Sequence, residues 1–271
     1  MKTKIALYFI SSIIFAGIAR ADNLPAMIPV ENYNLGLEFA DITYREPSLG
    51  VRESGPVFGL YGAYDYRLDM PILDVWHLDG HVDYSNVDYK GSGKINNISD
   101  WMGEPRLWAG HDFNLMPQLK VTPYFGVGYR FLFDHLKNKV SSIGALGYDR
   151  FSQYLYLPVG FELSTEAVPG WKFGFTTEYD IFIHGWQKSY LSNIQGLPDI
   201  TNDQKSGYGI RGSFDIIKKG DRFNYVVSPY VRYWNVKKSN TVTATGSLFQ
   251  VTGYEPANHS IEAGVRLGVE F

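Results

Sequence analysis

Hydrophobic and polar residues alternate along most of this chain. From residue 261 to residue 271, the odd positions are all apolar or small, whereas the even positions are Glu, Gly or Arg. Successive side chains of a β-strand point to opposite faces of the sheet, so a period of two predicts a strand with one apolar and one polar face. The same alternation covers residues 120–131, 171–181 and 208–215.

This alternation predicts ten strands, joined by connections of two lengths. The predicted strands cover residues 32–44, 55–66, 74–85, 103–113, 119–132, 149–163, 171–183, 206–217, 223–236 and 257–271. Short connections rich in turn-forming Pro and Gly lie near residues 67–73, 114–118, 164–170 and 218–222. Longer polar connections lie near residues 45–54, 86–102, 133–148, 184–205 and 237–256. Such connections predict an antiparallel up-and-down sheet, with turns at one end and loops at the other.

Two all-β architectures accommodate this sheet. A soluble sandwich or lipocalin-like barrel turns its apolar face inward, whereas a transmembrane β-barrel turns it outward to lipid. An even number of long strands, with long loops at one end only, is typical of the transmembrane barrel. The apolar face also carries aromatic residues at its ends, as membrane interfaces do: Tyr33, Trp76, Tyr84, Tyr129, Trp171, Tyr208, Tyr225 and Tyr233. We therefore predict an all-β fold, a transmembrane antiparallel up-and-down β-barrel of about ten strands.

The N-terminus has the pattern of a secretory signal peptide. Two lysines precede an apolar run over residues 5–18, and residues 19–21 (Ala-Arg-Ala) offer a cleavage site. The run is shorter than the ~20 apolar residues that a membrane-spanning helix needs. We predict that residues 1–21 are removed and that residues 22–271 form the barrel; an uncleaved membrane anchor is the alternative.

Composition narrows the possible chemistry. The chain has 271 residues and no cysteine, which excludes disulfide bonds and thiolate metal ligands. Its formal net charge of −3 gives no reason to expect a nucleic-acid partner. The sequence contains neither a phosphate-binding loop nor a nucleotide-binding fingerprint, so we expect no cofactor.

The predicted signal peptide, the alternating segments and the terminal strand ending on Phe271 resemble those of bacterial outer-membrane β-barrel proteins. The resemblance covers residues 22–271, concerns architecture and indicates no narrower family. It implies a monomeric barrel in the outer membrane of a Gram-negative bacterium, with five surface loops and contacts to outer-membrane lipid and lipopolysaccharide. It also implies that Phe271 is the assembly signal read by the barrel-assembly machinery.

The parity of each strand places many charged residues in the lumen. The predicted lumen charge network consists of Glu38, Asp79, His81, Asp83, Glu104, Arg106, Arg130, Glu178, Asp180, Arg211, Arg232, Glu262 and Arg266. Side chains fill the lumen of eight-stranded barrels, and open pores need about 16 strands. A ten-stranded lumen with this many charges is therefore predicted to be largely closed by its own salt bridges.

Neighbouring strands offer specific ion pairs within this network. The expected pairs are Glu178 or Asp180 with Arg211, Arg232 with Glu262, and Asp83 or Glu104 with Arg106. The alternative is a narrow porin-like channel that weakly prefers cations, because acidic residues outnumber basic ones on the lumen face.

Four titratable residues alternate on the third predicted strand, as His77-x-Asp79-x-His81-x-Asp83. A spacing of two puts all four side chains on the lumen face, about 6.6–7 Å apart. Imidazole and carboxylate suit zinc or nickel, but ligands this far apart need a neighbour such as Glu104 or Asp112 to surround one ion. The favoured interpretation is ion pairing with basic lumen residues, namely Arg67, Arg106 and Lys120.

Omptin proteases are ten-stranded barrels of this size, so proteolysis is the first enzymatic alternative. They activate water with an acidic pair and an Asp-x-His pair at the extracellular rim. Here Asp83 lies near the right strand end, but Ser85 replaces the second acid. Across the lumen, Asp180 and His184 are four residues apart. Both halves of the catalytic pattern are therefore broken.

Two further histidines offer no better site. Asp134 and His135 are adjacent in sequence, so their side chains are predicted to diverge. A lipid-modifying barrel needs a Ser/His pair near the lipid boundary, but His111, the histidine predicted to face outward, has no evident Ser partner. We therefore predict no catalytic residue and no metal ligand.

The junctions between loops and strands carry Tyr and charged residues, at 148–150, 187–190, 203–205 and 253–256. Tyr and Arg dominate binding hot spots, but ordering of the long loops is the favoured interpretation. The sequence thus predicts a non-enzymatic surface-interaction or structural protein with a largely closed lumen. A narrow porin-like channel and an omptin-like or lipid-modifying enzyme are the alternatives.

Overall fold

The computed structural model describes residues 30–271, so the predicted signal peptide lies outside the described residues and stays a prediction. The described part contains fourteen strands and one short 3-10 helix, at Leu191–Asn193. The strands are β1 (Val30–Glu46), β2 (Val51–Arg67), β3 (Val75–Gly91), β4 (Gly93–Gly110), β5 (Phe113–Met116), β6 (Leu119–His135), β7 (Arg150–Thr165), β8 (Trp171–Ser189), β9 (Ile200–Gln204), β10 (Gly207–Lys218), β11 (Asn224–Val236), β12 (Val242–Thr245), β13 (Gln250–Gly253) and β14 (Asn258–Glu270). No helix among residues 30–271 is long and apolar enough to cross a membrane.

Ten of these strands close into one antiparallel barrel. The order around the wall is β1, β2, β3, β4, β6, β7, β8, β10, β11 and β14, and β14 pairs back onto β1. Strand β5 pairs with β6, β9 pairs with β8, and β12 and β13 form a separate hairpin. The predicted all-β barrel of ten strands is thus confirmed.

The central part of the wall is apolar outside and charged inside. On β1, the outward-facing Leu35, Leu37 and Phe39 expose 40% to 55% of their surface, whereas Glu38 between them exposes 1%. In water, this arrangement would expose oily side chains and bury charges. It is stable where lipid surrounds the wall, because a closed barrel satisfies its backbone hydrogen bonds internally.

Aromatic residues and the chain terminus meet at the end with the short turns. The Tyr33 ring lies 4.9 Å from the Tyr64 ring and 5.7 Å from the Phe271 ring, measured between centroids. Tyr33 and Phe271 also exchange two backbone hydrogen bonds, of 2.8 and 2.9 Å. The C-terminal residue therefore closes the barrel beside the first strand, at the end that faces the periplasm in outer-membrane barrels.

At the opposite, extracellular end the strands extend further than predicted. Residues 86–102, predicted as a loop, belong to β3 and β4, which meet in a hairpin. The predicted loop 45–54 shrinks to a turn over residues 47–50, where Gly50 takes the positive φ of 64° that glycine tolerates best. Strand β8 also continues to Ser189.

These extensions escaped prediction because their alternation is inverted. Above the lipid-facing band, apolar side chains point inward and polar ones such as Asp88 and Lys90 point into the solvent. The buried members form an extracellular apolar cluster of Ile42, Val57, Val87, Ile95, Ile98 and Leu136. This part of the barrel follows the rule of soluble proteins, with its oily residues inside.

Candidate functional site

The centre of the lumen is crossed by an arginine with three acidic partners. Arg211 on β10 donates from Nε to Asp180 Oδ2 at 2.9 Å and lies 3.0 Å from Glu178 Oε1. Its Nη1 and Nη2 donate to the two Glu104 carboxylate oxygens at 3.0 and 2.9 Å. Strands β6, β7 and β8 separate β4 from β10 along the wall, so the Arg211–Glu104 pair spans the lumen. The predicted pairing of Arg211 with Glu178 and Asp180 is present.

The second arginine of the lumen, Arg106, has different ion-pair partners from those predicted. Arg106 donates from Nε to Asp79 Oδ1 at 2.9 Å and from Nη1 to Glu178 Oε1 at 2.7 Å. The expected pairing of Arg106 with Asp83 or Glu104 is wrong. Asp79 is the direct register partner of Arg106 across β3 and β4, where side chains lie closest, whereas Glu104 is two residues away on the same strand.

A third group of charges lies on β1, β11 and β14. Arg232 donates to Glu38 Oε1 at 2.7 Å and to Glu262 Oε1 at 2.8 Å, so the predicted pair with Glu262 is present. Arg266 also donates to Glu38 Oε1, at 2.6 Å. Together with the residues around Arg211 and Arg106, these groups form a layer across the middle of the barrel.

Asp79, His81 and Asp83 of the histidine row on β3 belong to the same layer, and His77 lies on its periplasmic side. His77 Nδ1 lies 2.7 Å from Asp65 Oδ1 and His77 Nε2 lies 3.1 Å from Asp79 Oδ2. His81 Nδ1 lies 2.7 Å from Asp83 Oδ2 and His81 Nε2 lies 2.9 Å from Glu104 Oε2. A ring nitrogen that donates to a carboxylate has no free lone pair, so these imidazoles act as ion-pair partners. The expected partners Arg67 and Lys120 instead contact Asp112.

Arg130 is the predicted network member that the structure places differently. Its guanidinium lies 5.9 Å from the ring centroids of both Tyr154 and Trp234, and Nη2 lies 2.9 Å from Met102 Sδ. It makes no ion pair within residues 30–271. The reason is its level along β6, on the extracellular side of the charged layer, where aromatic rings fill the lumen.

We call the other twelve members of the predicted network the central ion-pair layer: Glu38, Asp79, His81, Asp83, Glu104, Arg106, Glu178, Asp180, Arg211, Arg232, Glu262 and Arg266. The layer separates a periplasmic from an extracellular cavity, which share no lining residue. A third cavity, of about 40 Å³, adjoins the periplasmic one and reaches Arg211 within the layer. The periplasmic cavity holds about 130 Å³ and is mainly polar, and the extracellular one holds about 30 Å³. Tyr156, which donates to Glu104 Oε1 at 2.6 Å, is completely buried between them.

Sequence reasoning missed a second charged group, at the extracellular end. Glu53 on β2, Asp100 on β4 and Asp134 on β6 point inward and expose no more than 6% of their surface. We call these three residues the rim carboxylates. They lie just beyond Trp101 and Phe133, the last lipid-facing aromatic pair on β4 and β6. All three fell in predicted loops, where inverted alternation concealed the strand.

The surroundings of the rim carboxylates disfavour negative charge. Burial and, next in importance, the nearby charge of Asp134 together raise the pKa of Glu53 to about 8. Burial and the same neighbour raise the pKa of Asp100 to about 10. Arg150 lies 3.7 Å from Asp134 Oδ2 and 2.7 Å from Glu255 Oε1, and it opposes these shifts.

The groups considered for catalysis are engaged elsewhere. Asp180 is held by Arg211, and His184 Nε2 lies 3.1 Å from Asp203 Oδ1. Asp134 points inward and His135 points outward, as predicted from their adjacency. His111 Nδ1 lies 3.0 Å from Asp74 Oδ1, at the periplasmic end of the barrel. At the extracellular rim of the described barrel, no acidic pair faces an Asp-x-His pair. Asp79 and His81 have that spacing, but they lie in the middle of the barrel, where Arg106 binds Asp79 and Glu104 contacts His81.

Residues at the predicted junctions between loops and strands contact residues of the extracellular loops. Asp149 Oδ1 accepts a hydrogen bond from the Lys137 backbone at 2.8 Å, and the Asp149 backbone donates to Asn193 Oδ1 at 2.9 Å. The Lys238 ammonium lies 3.6 Å from the centroid of the Tyr254 ring. These contacts hold the extracellular loops against one another.

No protein-family model matches the sequence, and no curated protein is significantly similar to it. Among solved structures, the outer-membrane protease OmpT from Escherichia coli superposes with a TM-score of 0.62 at 10% identity, covering 89% of this chain and 96% of that one. The Pseudomonas putida toluene transporter TodX gives a TM-score of 0.37 at 9% identity, with 89% and 88% covered. Neisserial surface protein A gives 0.28 at 15% identity, with 87% and 96% covered.

At 10% identity the similarity to OmpT shows the fold alone. The TM-scores of the other two structures are too low to indicate a shared fold. The fold shared with OmpT is the closed outer-membrane β-barrel, and it agrees with the lipid-facing band described above. The protein is therefore a β-barrel of the bacterial outer membrane, as predicted.

Proposed function

We propose that this protein is a closed outer-membrane barrel that serves as a structural and surface-interaction protein, and neither conducts solutes nor hydrolyses peptides. The observation that carries the proposal is the ion pair between Arg211 and Glu104 across the lumen. Both side chains are buried, and Glu104 also accepts hydrogen bonds from His81 and Tyr156. A water path through the barrel would have to break this layer.

The cost of breaking buried ion pairs favours a permanently closed lumen. Removing one partner of a buried ion pair destabilises a protein by about 3–5 kcal/mol, because the remaining charge is left unpaired. Opening the lumen would expose several such groups at once. A thermally accessible open state is therefore not expected.

The extracellular end supports an interaction role. The hairpin of β12 and β13 exposes Leu248 and Phe249 at its tip, and the loop between β6 and β7 exposes Ile143 and Leu146. Apolar groups on ordered surface loops are typical of protein contact sites. We propose that these loops bind an extracellular partner. We also propose contacts of the outer wall with lipid and lipopolysaccharide, and recognition of Phe271 by the barrel-assembly machinery.

Conductance in planar bilayers tests the closed lumen. Purified full-length protein is expected to give no current steps. Arg211→Ala should give steps that are cation-selective, because Glu104, Glu178 and Asp180 lose their shared positive partner. Arg222→Ala, in an exposed periplasmic turn, is the matched control and should stay silent. Heat-dependent migration in detergent gels verifies that each variant is folded.

Current steps in the unmodified protein, of the size seen with Arg211→Ala, would contradict the proposal and favour the narrow channel. Silence of a folded Arg211→Ala variant would show that Arg211 is not the element that closes the lumen.

A further inference from the structure

The rim carboxylates are arranged as ligands of a single ion. Glu53, Asp100 and Asp134 each offer one carboxylate oxygen, and these oxygens all lie within 4.8 Å of one another. Ca²⁺ binds oxygen at about 2.3–2.6 Å, so oxygens on opposite sides of one ion lie about 4.6–5.2 Å apart. The three groups come from β2, β4 and β6, which fix them from different sides.

Each rim carboxylate also has an oxygen without a partner. Glu53 Oε1, Asp100 Oδ1 and Asp134 Oδ1 are buried and accept no hydrogen bond from any residue the structure describes. Buried polar atoms in native proteins almost always have a partner. All three residues line the extracellular cavity, so a ligand there would lie beside their carboxylate groups.

The local charge is unbalanced. Glu46, Asp134 and Glu255 share the guanidinium of Arg150. Glu53 and Asp100 have no basic group within ion-pair distance in residues 30–271. Five buried carboxyl groups share one arginine, so they could all ionise together only if a further positive charge, such as a divalent cation, were bound among them.

We infer that the rim carboxylates form a binding site for a hard divalent cation, with Ca²⁺ as the best fit. All donors are carboxylate oxygens, which suit Ca²⁺ rather than the transition metals that prefer nitrogen and sulfur. The adjoining cavity holds about 30 Å³, which is room for about two water molecules as further ligands beside the carboxylates. The hydroxyls of Ser85 and Ser152 line the same cavity.

The second group of potential ligands in the barrel is a weaker candidate. Glu38, His81 and Asp83 also come within 4.8 Å of one another. Both His81 nitrogens, however, face carboxylates, and Glu38 is held by Arg232 and Arg266. The carboxylates of this second group are therefore already paired with basic residues.

A bound ion would connect three strands above the membrane surface and, through Asp134 and Arg150, reach the strand that follows the third long loop. It would thereby rigidify the extracellular end on which the surface loops rest. The inference does not depend on the closed lumen, because conductance and cation binding are measured separately.

Calorimetric titration of the purified full-length protein with CaCl2 after treatment with EDTA tests the site. One Ca²⁺ per chain is expected, together with a higher thermal unfolding midpoint in CaCl2 than in EDTA. Asp100→Asn and Asp134→Asn should each weaken binding by at least about tenfold, because affinity follows the number of charged ligands. Asp69→Asn, in an exposed periplasmic turn, is the matched control and should bind as the unmodified protein does.

Asn is nearly isosteric with Asp and removes a buried charge, so both variants are expected to fold. Absence of a binding heat in the unmodified protein, with equal unfolding midpoints in CaCl2 and EDTA, would overturn the inference and indicate carboxyls kept neutral by protons. Undiminished stoichiometric binding in the Asp100→Asn, Asp134→Asn double variant would overturn it too, by placing the ion elsewhere.

Discussion

The membrane-spanning part of the barrel and its extracellular extension are built from the same strands by opposite rules. Within the membrane, Leu37 faces outward and Glu38 is buried. Beyond it, Ile98 is buried and Asp88 faces outward. The medium outside the wall determines whether apolar or polar side chains face outward, and the other side chains of each strand face the lumen. Charges can fill the membrane-level lumen only because they pair with one another. The extension instead has an apolar interior beside the rim carboxylates, of which, in the described part of the chain, only Asp134 pairs with a basic residue, Arg150.

The largest effect is expected from breaking the charged interior. Arg211→Ala should lower the free energy of unfolding by about 3–5 kcal/mol, because it leaves buried carboxylates without their partner. Urea unfolding in lipid vesicles measures the change. Arg52→Ala removes an exposed arginine of the extension and should change stability by less than about 0.5 kcal/mol. Similar losses of unfolding free energy in both variants would contradict the proposed difference between the two regions.

A charge placed on the outer face distinguishes the two solvents. Leu37→Arg puts a guanidinium into lipid and should cost about 2–4 kcal/mol. The same face carries Arg45 eight residues later, outside the membrane, where Arg45→Leu should be nearly neutral. Unfolding free energies of the two variants give the comparison, and equal costs would mean that both positions contact the same medium.

The pH dependence of stability sharpens the account of the rim. The folded-state pKa values of Glu53 and Glu255 are raised to about 8 and about 7 from an ordinary value of 4.5. A raised carboxyl pKa means that the folded state holds protons that the unfolded state has released. In EDTA, stability should therefore fall as the pH rises from about 5 to 8, by at most about 1.4 kcal/mol per pH unit for each group.

Thermal unfolding midpoints across this range check the slope. Glu53→Gln cannot ionise at this position and should reduce the slope of the pH profile, while the contributions of Glu255 and Asp100 remain. A profile in EDTA that is already flat for the unmodified protein would show that these carboxyls titrate normally.

The smallest effect is expected from the oily interior of the extension. Ile98→Val removes one buried methylene from the extracellular apolar cluster and should cost about 0.5–1.5 kcal/mol. Asn96→Ala, on an exposed position of the same strand, should stay within about 0.5 kcal/mol. An equal effect at the two positions would indicate that the extension has no packed core.

The sequence predicts the face of each strand well, because a period of two fixes the side on which Arg211 or Glu262 lies. It also predicts ion pairs between neighbouring strands, such as Arg232 with Glu262. It does not predict the partners of Arg106, because these depend on the exact register and on contacts through the lumen. The sequence does not predict the rim carboxylates, for a different reason. Around Asp100 the outer face of the strand is polar, so the sequence of a strand in water resembles that of a loop.

Because the chain contains no cysteine, single-cysteine variants can report directly which positions of the outer wall contact lipid and which contact water. Single-cysteine variants Leu37→Cys and Arg52→Cys, reconstituted in lipid nanodiscs, would be treated with a water-soluble and a lipid-soluble thiol reagent. We expect rapid labelling of position 52 by the water-soluble reagent and labelling of position 37 only by the lipid-soluble one. Rapid water-soluble labelling at both positions would contradict the claim that the two faces exchange roles at the membrane surface.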